Sequence, residues 1–251
     1  MKITLLGTGT SYPDPERVQS GILVEQDRKL MLLDVGSGVL HRLVQTGADV
    51  KSIDSVFISH LHVDHCSDFM SLYQTLMMSG FDKSLHLFGP PTVNEWFAAL
   101  NDRIYPYLKG RVPVEVTPLK ELDTVQVGAL TVRCCKSKHG TVDSRAVRVE
   151  LKDHSFVYSS DTAPSKDVME LTRGTDLLIH ECMWLDGKHP EGVHTAPSEL
   201  ARIVEEARPK KVILTHLSPE VVSSESRVAS TIGQNTGIDV AMGKDLMSLK
   251  I

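Results

Sequence analysis

The chain has 251 residues, 41% hydrophobic and 24% charged, a composition that suits a globular protein with a sizeable core and excludes a disordered or fibrous chain. Its 27 basic and 32 acidic side chains leave a formal net charge of −5, so no global positive field draws it to nucleic acid. No run approaches the ~18 consecutive apolar residues of a membrane helix.

In chain order, Met1 to Leu6 reads as a strand that turns at Gly7-Thr8-Gly9, too short for the apolar core of a secretory leader. Ile22 to Glu25 and Leu30 to Leu33 are further strands, and Gly36-Ser37-Gly38 opens a helix through Leu40, Leu43 and Val44 that Gly47 ends. Val56 to Ile58 is a buried strand, after which Phe69, Leu72, Tyr73 and Leu76 recur at helical spacing. A strand at Leu85 to Phe88 and a helix around Trp96 to Leu100, started by Pro90-Pro91, complete the first half.

The second half predicts strands at Val114 to Val116, Thr124 to Val127, Leu130 to Cys135, Val147 to Leu151 and Phe156 to Tyr158. A helix over Ser165 to Thr172, a strand at Leu177 to Ile179, a helix over Ser198 to Ala207 and a strand at Val212 to Leu214 follow. Two short strands, Asp239 to Met242 and Met247 to Leu249, finish the chain. No long or low-complexity linker interrupts the pattern, and residues 1–251 are expected to form a single α/β domain. Cys66, Cys134, Cys135 and Cys182 lack Cys-x-x-Cys spacing, which points to reduced thiols in a cytoplasmic protein.

The chemistry collects first in Ser59-His60-Leu61-His62-Val63-Asp64-His65, directly after an apolar strand. His60 and His62 can ligate one ion and Asp64 and His65 a second. Three more candidates follow β runs: His139, Asp161 and His216. Strand ends in α/β folds converge on one edge, where loops build sites. The seven then partition as His60, His62 and His139 on one ion and Asp64, His65 and His216 on the other, with Asp161 bridging. Imidazole with carboxylate favours Zn²⁺ and admits Mn²⁺ or Fe²⁺. Two ions ~3.5–4 Å apart can hold a hydroxide and clamp an oxyanion, which suits ester or phosphodiester hydrolysis. Asp64 would both ligate and orient the attacking water.

This residue set resembles the metallo-β-lactamase superfamily, and within it the ribonuclease Z-like branch. The resemblance is carried by Leu6-Gly7-Thr8-Gly9, Leu33-Asp34-Val35-Gly36, Ser59-His60-Leu61-His62, Ser160-Asp161-Thr162, His180-Glu181 and Thr215-His216-Leu217-Ser218-Pro219, nearly end to end and in the family's order. It implies a four-layer αββα sandwich with two metals at one edge of two facing sheets. Ribonuclease Z carries a long tRNA-gripping arm between the positions matching His139 and Asp161, where this chain has 21 residues. The family's basic N-terminal loop is replaced by Pro13-Asp14-Pro15-Glu16-Arg17-Val18-Gln19. Its proton-donating histidine, in a His-x-Thr motif, is matched one place late by His194-Thr195-Ala196, which makes His194 the candidate general acid.

The reading is therefore a dinuclear metal-dependent hydrolase of small or cyclic phosphodiesters. The alternative is a tRNA 3′-endonuclease, which would need another basic surface or a partner's arm. A homodimer is compatible with the branch. A di-iron redox enzyme would want Glu at His62 and a flavin domain, and a metal-free scaffold would not need the full ligand set. Asp34 is expected to accept hydrogen bonds from a ligand histidine or from the histidine loop. His180-Glu181 reads either as a structural hydrogen-bonding pair or as support for the ligands from behind. His41, His86, His154 and His189 read as ordinary, Cys66 as a bystander, and Met70, Met77 and Met78 as core or pocket wall.

Overall fold

The computed structural model describes residues 1–234 and 236–251 and places the strands in two seven-stranded sheets. The first holds β1 (Lys2–Gly7), β2 (Gly21–Gln26), β3 (Lys29–Val35), β4 (Ile53–Phe57), β5 (Leu85–Gly89) and β6 (Val114–Pro118) in sequential order. The second holds β7 (Thr124–Val127), β8 (Leu130–His139), β9 (Val142–Leu151), β10 (His154–Tyr158), β11 (Leu177–Cys182), β12 (Lys211–Leu217) and β13 (Asp239–Met242). The last strand, β14 (Ser248–Lys250), returns to the first sheet and pairs antiparallel with β1. Each sheet changes from antiparallel to parallel pairing partway across, at β3–β4 and at β10–β11.

Both faces of both sheets are covered, which is why the strands read as unbroken apolar runs rather than alternating ones. Alternation persists in where each side chain goes. Ile22, Val24, Met31 and Leu33 meet Val147, Val149, Phe156, Tyr158, Leu177 and Ile179 between the sheets. Leu23, Leu30 and Leu32 face outward onto α1 (Val39–Gln45), the one-turn α2 (Val63–Cys66), α3 (Phe69–Met78) and α4 (Val93–Ala99). On the other side α5 (Lys166–Thr172) covers Cys135 and Ala146. Val157, Leu178, Val212 and Leu214 pack against α6 (Pro197–Ala207), α7 (Pro219–Ser223) and α8 (Glu225–Gly233). The result is the four-layer αββα sandwich expected from the resemblance. Among the described residues no helix is long and apolar enough to cross a membrane.

Several elements differ from the sequence reading. β8 runs on through His139 instead of stopping at Cys135, and β9 starts at Val142 instead of Val147. The polar letters hide this because Ser137, Ser144 and Arg145 are buried in strand, with Ser137 Oγ 2.8 Å from Ser144 Oγ. α7 and α8 were not anticipated. Ser218, whose hydroxyl accepts from the Val221 amide, caps Pro219 at the first turn, a start signal written in the sequence. α8 buries only Val228 and Ile232, and its serines mask that i, i+4 pair. Met70 and Met77 pack against the first outer core, whereas Met78 is exposed.

Candidate metal centre

The loop from Ser59 to His65 leaves β4 at the edge where the two sheets' strand ends meet. Its path requires Gly36: a Cβ there would lie 2.1 Å from the Asp64 carbonyl oxygen. At Asp34 the chain takes φ +58°, at Ser160 φ +54° and at His216 φ +53°. Left-handed backbone at non-glycine residues costs energy and concentrates at functional sites. Here it breaks the two-residue alternation, so strand-end side chains turn into the site. At His216 the register shifts, Glu181 pairing with Thr215 and Cys182 with Leu217, so His216 is the extra residue of a bulge.

All seven residues singled out as ligands converge. Donor atoms of His60, His62, His139 and Asp161 lie within 4.8 Å of one another, as do those of Asp64, His65 and His216. Asp161 Oδ2 sits between the groups, 3.8 Å from Nε2 of His60 and of His139 and 3.4 Å from Nε2 of His65 and of His216. His216 Nε2 is 3.2 Å from Asp64 Oδ2, and His139 Nε2 is 3.2 Å from His62 Nδ1. Donors that share one tetrahedral ion at 2.0–2.1 Å are about 3.4 Å apart, the spacing seen here. His139 Nδ1 donates to the Val193 carbonyl at 2.9 Å, which leaves Nε2 bare in the neutral ring. His60 Nε2, His65 Nε2 and Asp161 Oδ1 are buried without a hydrogen-bond partner among the described residues. Such orphans cost about 1–3 kcal/mol each unless something occupies the space between them, and a divalent cation fits this donor set.

The electrostatics agree at four of the donors, whereas at His65 burial is outweighed by Asp161 and Asp34, which hold it well above the usual imidazole range. Burial, with His65 nearby, holds His60 well below the usual imidazole range, and burial with His139 lowers His62, so both rings stay neutral with a lone pair free. Asp161 is pulled well below the carboxylate range: burial opposes this, but His216 and His65 outweigh it. Asp64 is likewise lowered, against burial, by its hydrogen bond to His216. Burial pushes the Cys66 thiol up to about 12, and its Sγ donates to the His62 carbonyl at 3.2 Å. It remains a thiol turned away from the donors.

Behind the cluster, Asp34 takes the role expected of it. Its Oδ1 accepts the Ser59 amide at 2.6 Å, and its Oδ2 accepts from the Ser59 hydroxyl at 2.7 Å and from His65 Nδ1 at 2.8 Å. A partner absent from the sequence reading is Tyr158, whose hydroxyl donates to Asp34 Oδ2 at 2.7 Å from the opposite sheet. His194 also reaches the cluster, its donor atom within 4.8 Å of Asp161 and His216. Glu181 Oε1 holds His194 Nδ1 at 2.9 Å and the Thr162 amide at 2.9 Å. Glu181 is thus more than the structural partner of His180; it ties the general-acid candidate to the segment after Asp161. The residue that does serve a local structural bond is His180, whose Nδ1 lies 2.7 Å from the Glu181 carbonyl. Elsewhere His86 is 3.4 Å from Glu115 and His154 3.5 Å from Asp176, while His189 stacks on Trp184, whose ring also packs edge-on against His194.

Comparison with known proteins adds the family. Ribonuclease Z of Methanosarcina acetivorans is 26% identical over 305 residues, covering all of this chain and 98% of that relative. The fold of YhfI from Bacillus subtilis, a metallo-beta-lactamase fold protein, superposes with a TM-score of 0.86 at 24% identity, covering 99% of this chain and 98% of that one. Human tRNase Z, short form, gives 0.82 at 22% identity over all of this chain and 99% of its own. A diphosphatase from the PhnP family (0.75, 18% identity, 100% and 97% covered) and yeast PDE1 (0.74, 15%, 100% and 99%) share the architecture. The family model described as anti-Pycsar protein Apyc1 matches residues 1–233. The chain is a metal-dependent hydrolase of the metallo-β-lactamase superfamily, ribonuclease Z-like, and belongs to the family of anti-Pycsar protein Apyc1.

Proposed function

We propose that this hydrolase is a dinuclear-metal phosphodiesterase acting on small or cyclic phosphodiesters, with Zn²⁺ as the favoured metal and Mn²⁺ or Fe²⁺ as substitutes. The observation that carries the reaction class is Asp161 Oδ2, 3.4–3.8 Å from four imidazole nitrogens, two from each donor group. Two divalent ions, when bound, supply Lewis acidity that lowers the pKa of water and offsets negative charge developing at phosphorus. His60, His62 and His139 would hold one, Asp64, His65 and His216 the other, with Asp161 between them.

Asp64 would orient the attacking water through its carboxylate. As the bond from phosphorus to the leaving oxygen breaks, His194 would pass a proton to that oxygen. Glu181 occupies Nδ1, so Nε2 is the nitrogen left to donate. Burial lowers the basicity of His194, but the hydrogen bond and charge of Glu181 raise it overall, which favours the acid form.

The substrate class is supported by the span from His139 to Asp161. The β8–β9 turn at Gly140-Thr141, β9, the Lys152-Asp153 turn and β10 account for it, leaving no length for a tRNA-gripping arm. An anti-Pycsar role belongs to the same reading, on the family match alone. One observation favours the second reading, a tRNA 3′-endonuclease: Lys136, Lys138 and Lys166 line a cavity of about 490 Å³ beside His139, and lysines attract a phosphate backbone. Asp64→Asn tests the mechanism. If the variant keeps its metal and hydrolyses a generic phosphodiester at the wild-type rate, the mechanism is wrong. A single cooperative unfolding transition, sedimentation and cell fractionation test the single domain, the homodimer and the cytoplasmic location that accompany this reading.

A further inference from the structure

Each of the two donor groups draws on both sheets. The loop after β4 brings His60, His62, Asp64 and His65 from the first sheet, while β8, the end of β10 and β12 bring His139, Asp161 and His216 from the second. Each ion would therefore be held partly from both sides, and the spacing of the sheets sets the spacing of the donors.

Besides the donors themselves, two buried bonds span that gap at the level of the site: the Arg145 amide of β9 donates to the Ser59 carbonyl at 3.0 Å, and a tyrosine reaches Asp34. Tyr158, the last residue of β10 and three before Asp161, donates its hydroxyl to Asp34 Oδ2 at 2.7 Å. The same oxygen accepts from His65 Nδ1 at 2.8 Å and from the Ser59 hydroxyl at 2.7 Å. Ser59 Oγ, its own hydrogen given to Asp34, lies 3.1 Å from His60 Nδ1 and can accept from it. A carboxylate can only accept, so His65 carries its hydrogen on Nδ1 and, when neutral, turns a bare Nε2 to the cluster. Through Ser59 the same holds for His60. One carboxylate thus sets the tautomer and ring direction of one histidine in each donor group, and both Asp34 and Tyr158 are fully or almost fully buried.

We propose that Tyr158 is a positioning residue that fixes the two metal subsites relative to each other, acting across the sheets through Asp34. This rests on the metal reading above. Asp34 belongs to the sheet that carries the histidine loop, and Tyr158 to the strand that delivers Asp161. Without the hydroxyl, Asp34 keeps its two bonds to Ser59, itself held by the Arg145 amide, and its bond to His65, but its carboxylate loses its direct tie to the strand that delivers Asp161. The donors would then keep their identities and lose their mutual spacing. Outer partners of ligand histidines commonly change metal affinity or activity by ~10–100-fold.

The test is a metal titration of the full chain, wild type against Tyr158→Phe, Asp34→Asn and the double variant, with Zn²⁺ binding read by calorimetry and turnover read separately. Tyr158→Phe removes one oxygen and keeps the ring that packs between the sheets. The proposal expects two equivalents bound by the wild type and roughly 10-fold weaker binding by Tyr158→Phe. It also expects kcat to fall more than KM changes, and a double variant no worse than Asp34→Asn alone. Co²⁺-loaded protein should show an altered electronic coupling between its two ions in Tyr158→Phe. Wild-type affinity in Tyr158→Phe, or losses that add in the double variant, would overturn the role of Tyr158 while leaving the metal reading intact. A wild-type chain that binds no two equivalents would overturn the metal reading instead, and this proposal with it.

Discussion

Glu181 Oε1 lies 2.9 Å from Nδ1 of His194, 13 residues further along the chain, and both side chains are buried. The pair leaves the far nitrogen of His194 free beside Asp161 and His216. A histidine held this way is positioned as an acid, and its worth depends on how badly the leaving group needs a proton. His194→Ala should cost ~10²–10⁴-fold in kcat for an alkyl phosphodiester. It should cost far less for a bis-aryl phosphate, whose phenolate leaves unaided. Equal losses on both substrates would remove His194 from the role of acid.

The same pair sets a pH limb. The pKa of His194 is raised above its ordinary 6.5, with burial opposing and the Glu181 hydrogen bond and charge prevailing. The protonated form is complete at low pH and is lost as pH rises through that raised value. Glu181→Gln removes the charge, so the alkaline limb for an alkyl substrate should move to lower pH. An unmoved limb assigns it to another group.

Proton competition at His60 and His62 runs the other way. His60 and His62 are lowered from 6.5 by burial, then by His65 and His139 respectively. Ligands must shed protons to bind metal, and these two do so below the ordinary histidine range. Release on acidification of the ion that His60 and His62 would hold, followed with a chromogenic chelator, should therefore have its midpoint below pH 6.5. Release centred above 6.5 would contradict the assignment of these two residues.

Gly36 offers a test of the scaffold. A methyl group there would lie 2.1 Å from the Asp64 carbonyl oxygen and 2.6 Å from Gln19 Cβ. Backbone cannot yield as a flexible side chain does, so Gly36→Ala must push the histidine loop outward. Overpacking of this kind costs ~1–3 kcal/mol, and ~2–4 °C of Tm per kcal/mol is expected for a chain this long. The variant should also bind metal more weakly, since Asp64 and His65 move together. Unchanged Tm and metal content would show that the turn has slack.

What could be read in the sequence divides along physical lines. The convergence at the sheet edge was legible because four metal-capable side chains crowd into six positions, and because His139, Asp161 and His216 each follow a β run. The role of Tyr158 was not, and that of Glu181 was legible only as one of two readings. Tyr158 reads as one more inward-facing core residue, and its bond to Asp34 joins positions 124 apart. Glu181 reads as half of a local pair with His180, because adjacency in sequence hides that their side chains leave the strand on opposite faces. The bulge at His216 and the left-handed backbone at Asp34 and Ser160 have no letter of their own. The serine-rich text of α8 and the polar start of β9 concealed elements whose burial is decided by their neighbours.

The substrate assignment rests on the short path from His139 to Asp161, and a direct competition tests it. Metal-loaded enzyme is given a cyclic nucleotide and a precursor tRNA in parallel, and kcat/KM is measured for each with a chelated control. The account predicts metal-dependent opening of the cyclic phosphodiester and little or no cleavage at the tRNA 3′ end. Efficient 3′ processing of the precursor, with the cyclic nucleotide left intact, would contradict it.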